Sequence, residues 1–155
     1  MRIGIVVYSQ TGNTRSVAAK LNEALSKAGQ QVSLDEVKLA GERKGGDRTF
    51  TLGPLPELSR YDAVVLGAAV EAFSLSPVMA TYLETIPTLE KKDIACLVTQ
   101  GFPYGWMGGN RAVRQMRRLC EAKGGKVLGG EVVNWMGAGL EERTARAVEK
   151  LAELF

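Results

Sequence analysis

The residues of this chain best suited to chemistry are Ser9, Gln10, Thr11, Gly12, Asn13 and Thr14, a run of hydroxyls and amides around one glycine. An apolar stretch precedes the run and a helical pattern follows it, so it is a turn from strand to helix. The first N–H groups of a helix lack partners and carry a partial positive charge, which suits a polar turn placed there to hold an anion, phosphate above all. Gly12 lets backbone approach a ligand closely, and the hydroxyls of Ser9, Thr11 and Thr14 with the amide of Asn13 donate without adding charge. The run has neither the lysine of a P-loop nor the three glycines of a dinucleotide turn. The competing reading is a loop that only caps a helix.

Other chemistries are excluded by composition. The 155 residues contain no histidine, which rules out histidine-based triads, histidine metal ligands and the usual neutral-pH proton shuttle. Cys96 and Cys120 stand far apart, neither with a second cysteine at metal-ligand spacing, and read as free buried thiols. Chemistry here then belongs to a cofactor. With 16.7 kDa and 45% hydrophobic residues, the chain suits one well-buried domain spanning 1–155. No apolar run approaches the ~20 residues of a membrane helix, and Met1-Arg2-Ile3 enters a strand pattern with no signal-peptide layout, so a cytoplasmic protein away from membranes is expected.

The elements that must position the turn follow from periodicity. Ile3 to Tyr8 is nearly continuously apolar, as in a strand covered on both faces. Val17, Ala18, Leu21, Ala24, Leu25 and Ala28 then recur at helical spacing until Gly29. Gln31 to Leu39 is a weaker strand suited to a sheet edge, and 41–56 reads as a surface connection in which Thr49 to Leu52 could be briefly extended. Asp62 to Gly67 and Asp93 to Thr99 are further buried strands. Ser76-Pro77 opens one helix; Asn110 can cap another that runs to about Lys123; Lys126 to Val133 is the last strand and Leu140 to Phe155 the last helix. Strands alternating with helices of crossover length predict a doubly wound α/β fold with a parallel sheet.

The stretch Val6-Val7-Tyr8-Ser9-Gln10-Thr11-Gly12-Asn13-Thr14, followed by Ala18 and Leu21, resembles the phosphate-binding signature of the flavodoxin family. Gly67 to Pro77 and Thr99 to Asn110 are similar to that family's two flavin-ring loops, so the resemblance spans nearly the whole chain. It implies a three-layer sandwich with a five-stranded parallel sheet in the order 2-1-3-4-5. It also implies FMN at the switch point between the first and third strands, flavodoxin itself being the standard example of that rule. On this resemblance the cofactor-binding residues are Ser9 to Thr14, then Ala68, Ala69, Val70, Phe73 and Ser74, then Thr99, Gln100, Gly101, Phe102, Tyr104, Trp106 and Gly108. Phe73 is implied on one side of the flavin ring and Tyr104 or Trp106 on the other, stacked aromatics being apt for a flat, partly apolar ring.

The resemblance implies an electron carrier between protein partners, working as a monomer or homodimer. A small FMN-dependent NAD(P)H:quinone-type reductase and a flavodoxin-fold binding module without redox activity are the alternatives. The net charge of +3 and pI of 8.9 depart from the acidic surfaces of many flavodoxins, which points to an acidic redox partner. Arg111, Arg114, Arg117 and Arg118 form a basic helix face, read as solvated rather than as a nucleic-acid site because no aromatics interleave with them. Glu71 reads as an exposed loop carboxylate in preference to a charge near the flavin that opposes the anionic reduced ring and lowers its potential, Arg15 as a phosphate aid or a solvent-facing side chain, and Trp135 as packing.

Overall fold

Because the first strand is apolar at odd and even positions alike, it must find cover on both sides. A computed structural model describing residues 1–155 supplies that cover. The elements run β1 (Arg2–Val7), α1 (Asn13–Lys27), β2 (Gln31–Glu36), β3 (Ala63–Glu71), β4 (Ser74–Leu75), α2 (Pro77–Thr85), β5 (Asp93–Gln100), α3 (Gly109–Ala122), β6 (Lys126–Asn134) and α4 (Leu140–Ala152). Ile3, Ile5 and Val7 pack with Val17, Leu21 and Leu25 of α1 and with Val148 and Leu151 of α4. Val6, Tyr8 and Leu66 face the other way, onto Met79, Tyr82 and Leu83 of α2 and Met116 and Cys120 of α3. Each large apolar side chain buried in these layers stabilises the fold by about 1.5–3 kcal/mol relative to exposure.

The strands lie in the order β2-β1-β3-β5-β6, all parallel along this path, which is the expected order once the short β4 is set aside. Parallel pairing of β1 with β3 and of β3 with β5 puts the carboxyl ends of these three strands side by side. No helix is long and apolar enough to cross a membrane. Cys96 and Cys120 are free and buried, as expected.

Three local expectations need correction. The third strand does not stop at Gly67 but continues to Glu71 and turns back antiparallel as β4, so Ala68, Ala69 and Val70 are strand, not loop. The turn residues Ala72 and Phe73 both have positive φ, 50° and 62°, the pattern of a type I′ hairpin. Left-handed backbone costs a non-glycine residue about 1–2 kcal/mol. It is held by Gln115, whose Oε1 accepts from Ser74 Oγ and from Leu75 N–H. Second, α3 is capped by Gly108 and not by Asn110, with a left-handed φ of 115° that bends the chain into the helix. Third, Ser76 does occupy the N-cap of α2, but its hydroxyl makes no cap bond and is buried without a partner.

The connection 37–62 contains no helix. Ala40 N–H bonds Thr51 O, and Leu39 bridges Leu52, so the extended piece around Thr51 is present. Leu39, Phe50, Leu52 and Leu55 pack onto the α2–α3 core, and Tyr82 Oη donates to Pro56 O, which fastens this irregular segment down.

Candidate functional site

The site is built from the end of β1 outward. Tyr8 N–H bonds Gly67 O at 3.0 Å, which carries β1 one residue beyond the regular strand and delivers Ser9 to the sheet edge. Ser9 Oγ accepts from Gly12 N–H at 3.1 Å and from Arg15 N–H at 3.2 Å, closing the turn on itself. Ser16 N–H bonds Gly12 O, so Asn13 and Thr14 are left with the first-turn N–H groups that no protein acceptor meets. Gly12 holds the left-handed φ of 92° at the N-cap. Thr11 is exposed, its Oγ1 accepting from Asn13 Nδ2. Two unpaired N–H groups at the positive end of a 15-residue helix fit a small anion and need no lysine.

Thr14 behaves differently from its neighbours. Its side chain is buried and Oγ1 lies 2.7 Å from Oγ1 of Thr99, itself fully buried at the end of β5. Gly67 makes this possible: a Cβ there would come within 2.8 Å of Val7 Cγ1 and 3.1 Å of Thr14 Cγ2. The two threonines therefore join the turn to the sheet, and their hydroxyls serve each other.

Between the strand ends lies a cleft of about 190 Å³ lined by Tyr8, Ser9, Gln10, Thr11, Thr14, Ala69, Val70, Glu71, Gly101 and Trp135. Small-molecule sites usually enclose ~300–1,000 Å³, so a larger ligand anchored here would extend outward over the sheet edge. A bigger groove of about 650 Å³ lies between α1 and α4, but it is lined by residues of those two helices and by Glu153 just past α4, many of them Lys and Glu, and no strand end reaches it. No group of three or more His, Cys, Asp or Glu side chains is placed to hold a metal ion.

The aromatics expected around a ring are at this edge but paired among themselves. Phe73 stacks on Phe102 with centroids 5.4 Å apart, and Tyr104 stacks on Trp106 at 5.8 Å. None of the four lines the cleft; Trp106 is 76% exposed. Gly108 lies under the hairpin, where a Cβ would come within 2.9 Å of Phe73 Cα, so the hairpin tip and the 101–108 loop touch. Gln100 is buried and its Nε2 donates to Phe102 O and Tyr104 O, fixing the loop's path, while its Oε1 has no partner. Ser74 is turned toward Gln115. Trp135, read from sequence as packing, lines the cleft beside Gly101, whose Cβ would stand 3.1 Å from the indole. Its position just after the last strand, at the same sheet edge, was the available signal.

Arg43 was missed altogether. It comes from the irregular connection, yet its side chain is 1% exposed. Nη2 and Nη1 donate to Glu71 Oε1 and Oε2, at 2.6 and 3.1 Å, Nη1 also reaches Gln10 Oε1 and Tyr8 Oη, and Nε donates to Asp47 O. The guanidinium is held above its usual range by the bond to Glu71, against the opposing effect of burial. Glu71 is thus ion-paired rather than a free loop carboxylate. Nothing local distinguishes Arg43 from Glu42 or Lys44. Arg15 pairs with Glu36, its Nε donating to Oε1 at 2.7 Å.

The Flavodoxin domain family model matches residues 5–137. No curated protein sequence matches. Among solved structures, the oxidised Flavodoxin 2 from Bacillus cereus is 21% identical with a TM-score of 0.69, covering 100% of both chains. The two-electron reduced flavodoxin of Megasphaera elsdenii is 22% identical with a TM-score of 0.68, covering 97% of this chain and 98% of its own. A flavoprotein in complex with FMN from Lactobacillus acidophilus is 17% identical with a TM-score of 0.66, covering 84% of this chain and 92% of its own. At these identities the likeness to solved structures speaks for the fold.

Proposed function

The chain belongs to the flavodoxin family, and from that premise we propose that it binds FMN at the carboxyl ends of β1, β3 and β5 and passes electrons to a protein partner. The observation that carries the reading is the pair of unpaired N–H groups, Asn13 and Thr14, in a turn whose Ser9, Gln10, Thr11 and Thr14 line a cleft bounded by those three strand ends. FMN, when bound, supplies reversible uptake of electrons on its ring. The chain's own residues do the rest: the turn 9–14 holds the phosphate through backbone donors and the Thr11 hydroxyl, and Ser9 keeps those donors aimed. Ala69, Val70, Gly101 and Trp135 form an apolar wall for the inner part of the ligand, and the Phe73–Phe102 and Tyr104–Trp106 pairs border its outer edge.

The absorption spectrum of purified protein titrated with FMN tests this. Saturable flavin bands and much weaker binding of riboflavin are expected; equal affinity for the two would remove the phosphate from the turn.

An acidic redox partner fits the surface. Arg111, Arg114 and Arg118 are exposed on α3 and make no ion pair, whereas Arg117 is joined to Glu121. Steering between redox proteins depends on complementary potentials, and this face favours negative charge. Steady turnover of NAD(P)H with quinones by the isolated protein would instead support the reductase alternative.

A further inference from the structure

Glu71 lines the cleft, and Arg43 stands behind it. Tyr8, Gln10 and Glu71 all belong to the cleft wall and all accept from the Arg43 guanidinium, which does not itself line the cleft. The same side chain lies over the rings of Tyr8 and Phe50, with centroids 5.9 and 5.6 Å from its carbon. One cation is therefore fastened to three wall residues and carried on a segment, 37–62, that has little regular structure of its own.

A purely structural tie does not need this chemistry. Taking a guanidinium and a carboxylate out of water is costly, and well-packed apolar residues of similar size do the same job as well or better. What an ion pair supplies that an apolar pair cannot is charge, placed at a chosen point. Here the point is the wall of the cleft, where side-chain exposures of 1% for Arg43 and 20% for Glu71 leave water little access to screen it.

We propose that Arg43 is the counter-ion that cancels the Glu71 charge at the flavin cleft, and that the balance between the two sets the reduction potential of the bound flavin. The proposal rests on the FMN reading above. When a reductant delivers two electrons and one proton is taken up with them, the flavin gains one negative charge. A bare carboxylate in the cleft wall opposes that gain and a bare guanidinium favours it. Paired, they nearly cancel at a distance. Arg43 acts through Glu71, so the two residues must have opposite effects when removed singly, and removing both must restore the starting value.

The test is the midpoint potential of FMN-saturated full-length protein, read by dye-coupled titration. Arg43→Met is expected to lower it, Glu71→Gln to raise it, and the Arg43→Met/Glu71→Gln double variant to return close to the parent. Arg43→Lys, which keeps the charge but loses the bidentate geometry, should fall between the parent and Arg43→Met. Single variants that shift the potential in the same direction, or leave it unmoved with FMN bound, overturn the proposal. If circular dichroism shows Arg43→Met unfolded, Glu71→Gln and Arg43→Lys decide: a potential that does not rise in the first and does not fall in the second refutes it. Failure of the parent itself to bind FMN in the absorbance titration sinks the underlying FMN reading and this proposal together. Normal binding with unmoved potentials sinks this proposal alone.

Discussion

Thr14 Oγ1 sits 2.7 Å from Thr99 Oγ1, so the first turn of α1 is bonded to the end of β5 above the gap left by Gly67. The consequence is a division of labour among hydroxyls that look equivalent in the sequence: Thr14 and Thr99 hold the turn against the sheet, while Thr11 remains exposed at its surface.

Replacing Thr14 or Thr99 by valine keeps the shape but strands the other hydroxyl in the core. Each single variant should lose about 1–3 kcal/mol of stability in urea unfolding, and the double variant less than the sum. Thr11→Val should leave stability within about 0.5 kcal/mol and weaken FMN by about 1.5–3 kcal/mol, the worth of a bond to a charged group. An FMN affinity unaffected by Thr11→Val would mean that its hydroxyl does not meet the phosphate.

Trp135 lines the cleft and Trp106 does not. Trp135→Ala should therefore weaken FMN by about 1 kcal/mol or more, the scale of an aromatic contact plus its lost apolar area, with Trp106→Ala closer to the parent. Isothermal titration of the two variants checks this. The reverse ranking would show that the Tyr104–Trp106 pair rearranges to cover the ring when FMN binds.

Alkaline pH should destabilise the fold. The Cys120 thiol is pushed above its ordinary 9.0 by the neighbouring Cys96 thiol and by burial, and the Tyr82 phenol above its ordinary 10.0 by burial. The unfolded chain releases both protons in that range while the folded chain keeps them, so the unfolded state gains and stability falls as pH rises past 9.0. Each retained proton contributes up to about 1.4 kcal/mol per pH unit of this loss. Urea unfolding at pH 8 and above pH 10 measures it, with Cys120→Ala removing the thiol share. A flat profile that Cys120→Ala leaves unchanged would contradict the assignment.

Electron transfer to an acidic partner should slow as salt rises, since exposed charges act mainly on encounter and are screened over about 8–10 Å at moderate ionic strength. Stopped-flow rates with Arg114→Glu and Arg118→Glu should start lower and lose most of the salt dependence. Rates indifferent to salt and to both reversals would move the docking surface off α3.

The alternation of strands and helices, the polar turn at 9–14 and the resemblance it carries were legible in the sequence because they depend on neighbours. Side chains two, three or four residues apart share a face, and the turn's chemistry is complete within six consecutive residues. The family model and the strand order agree with that local reading. Other features depended on distance along the chain. Thr14 meets Thr99 across 85 positions, and Arg43 meets Glu71 across 28. No periodicity records such pairs, and Arg43 arrives on a segment with no regular pattern to orient it. The hairpin at Ala72 and Phe73 ran against local preference, because non-glycine residues rarely take positive φ unless contacts made elsewhere, here Gln115 and Phe102, hold them there. Which hydroxyl faces the core, which carboxylate is neutralised and which tryptophan enters the cleft were decided only when packing brought distant segments together and removed water from between them.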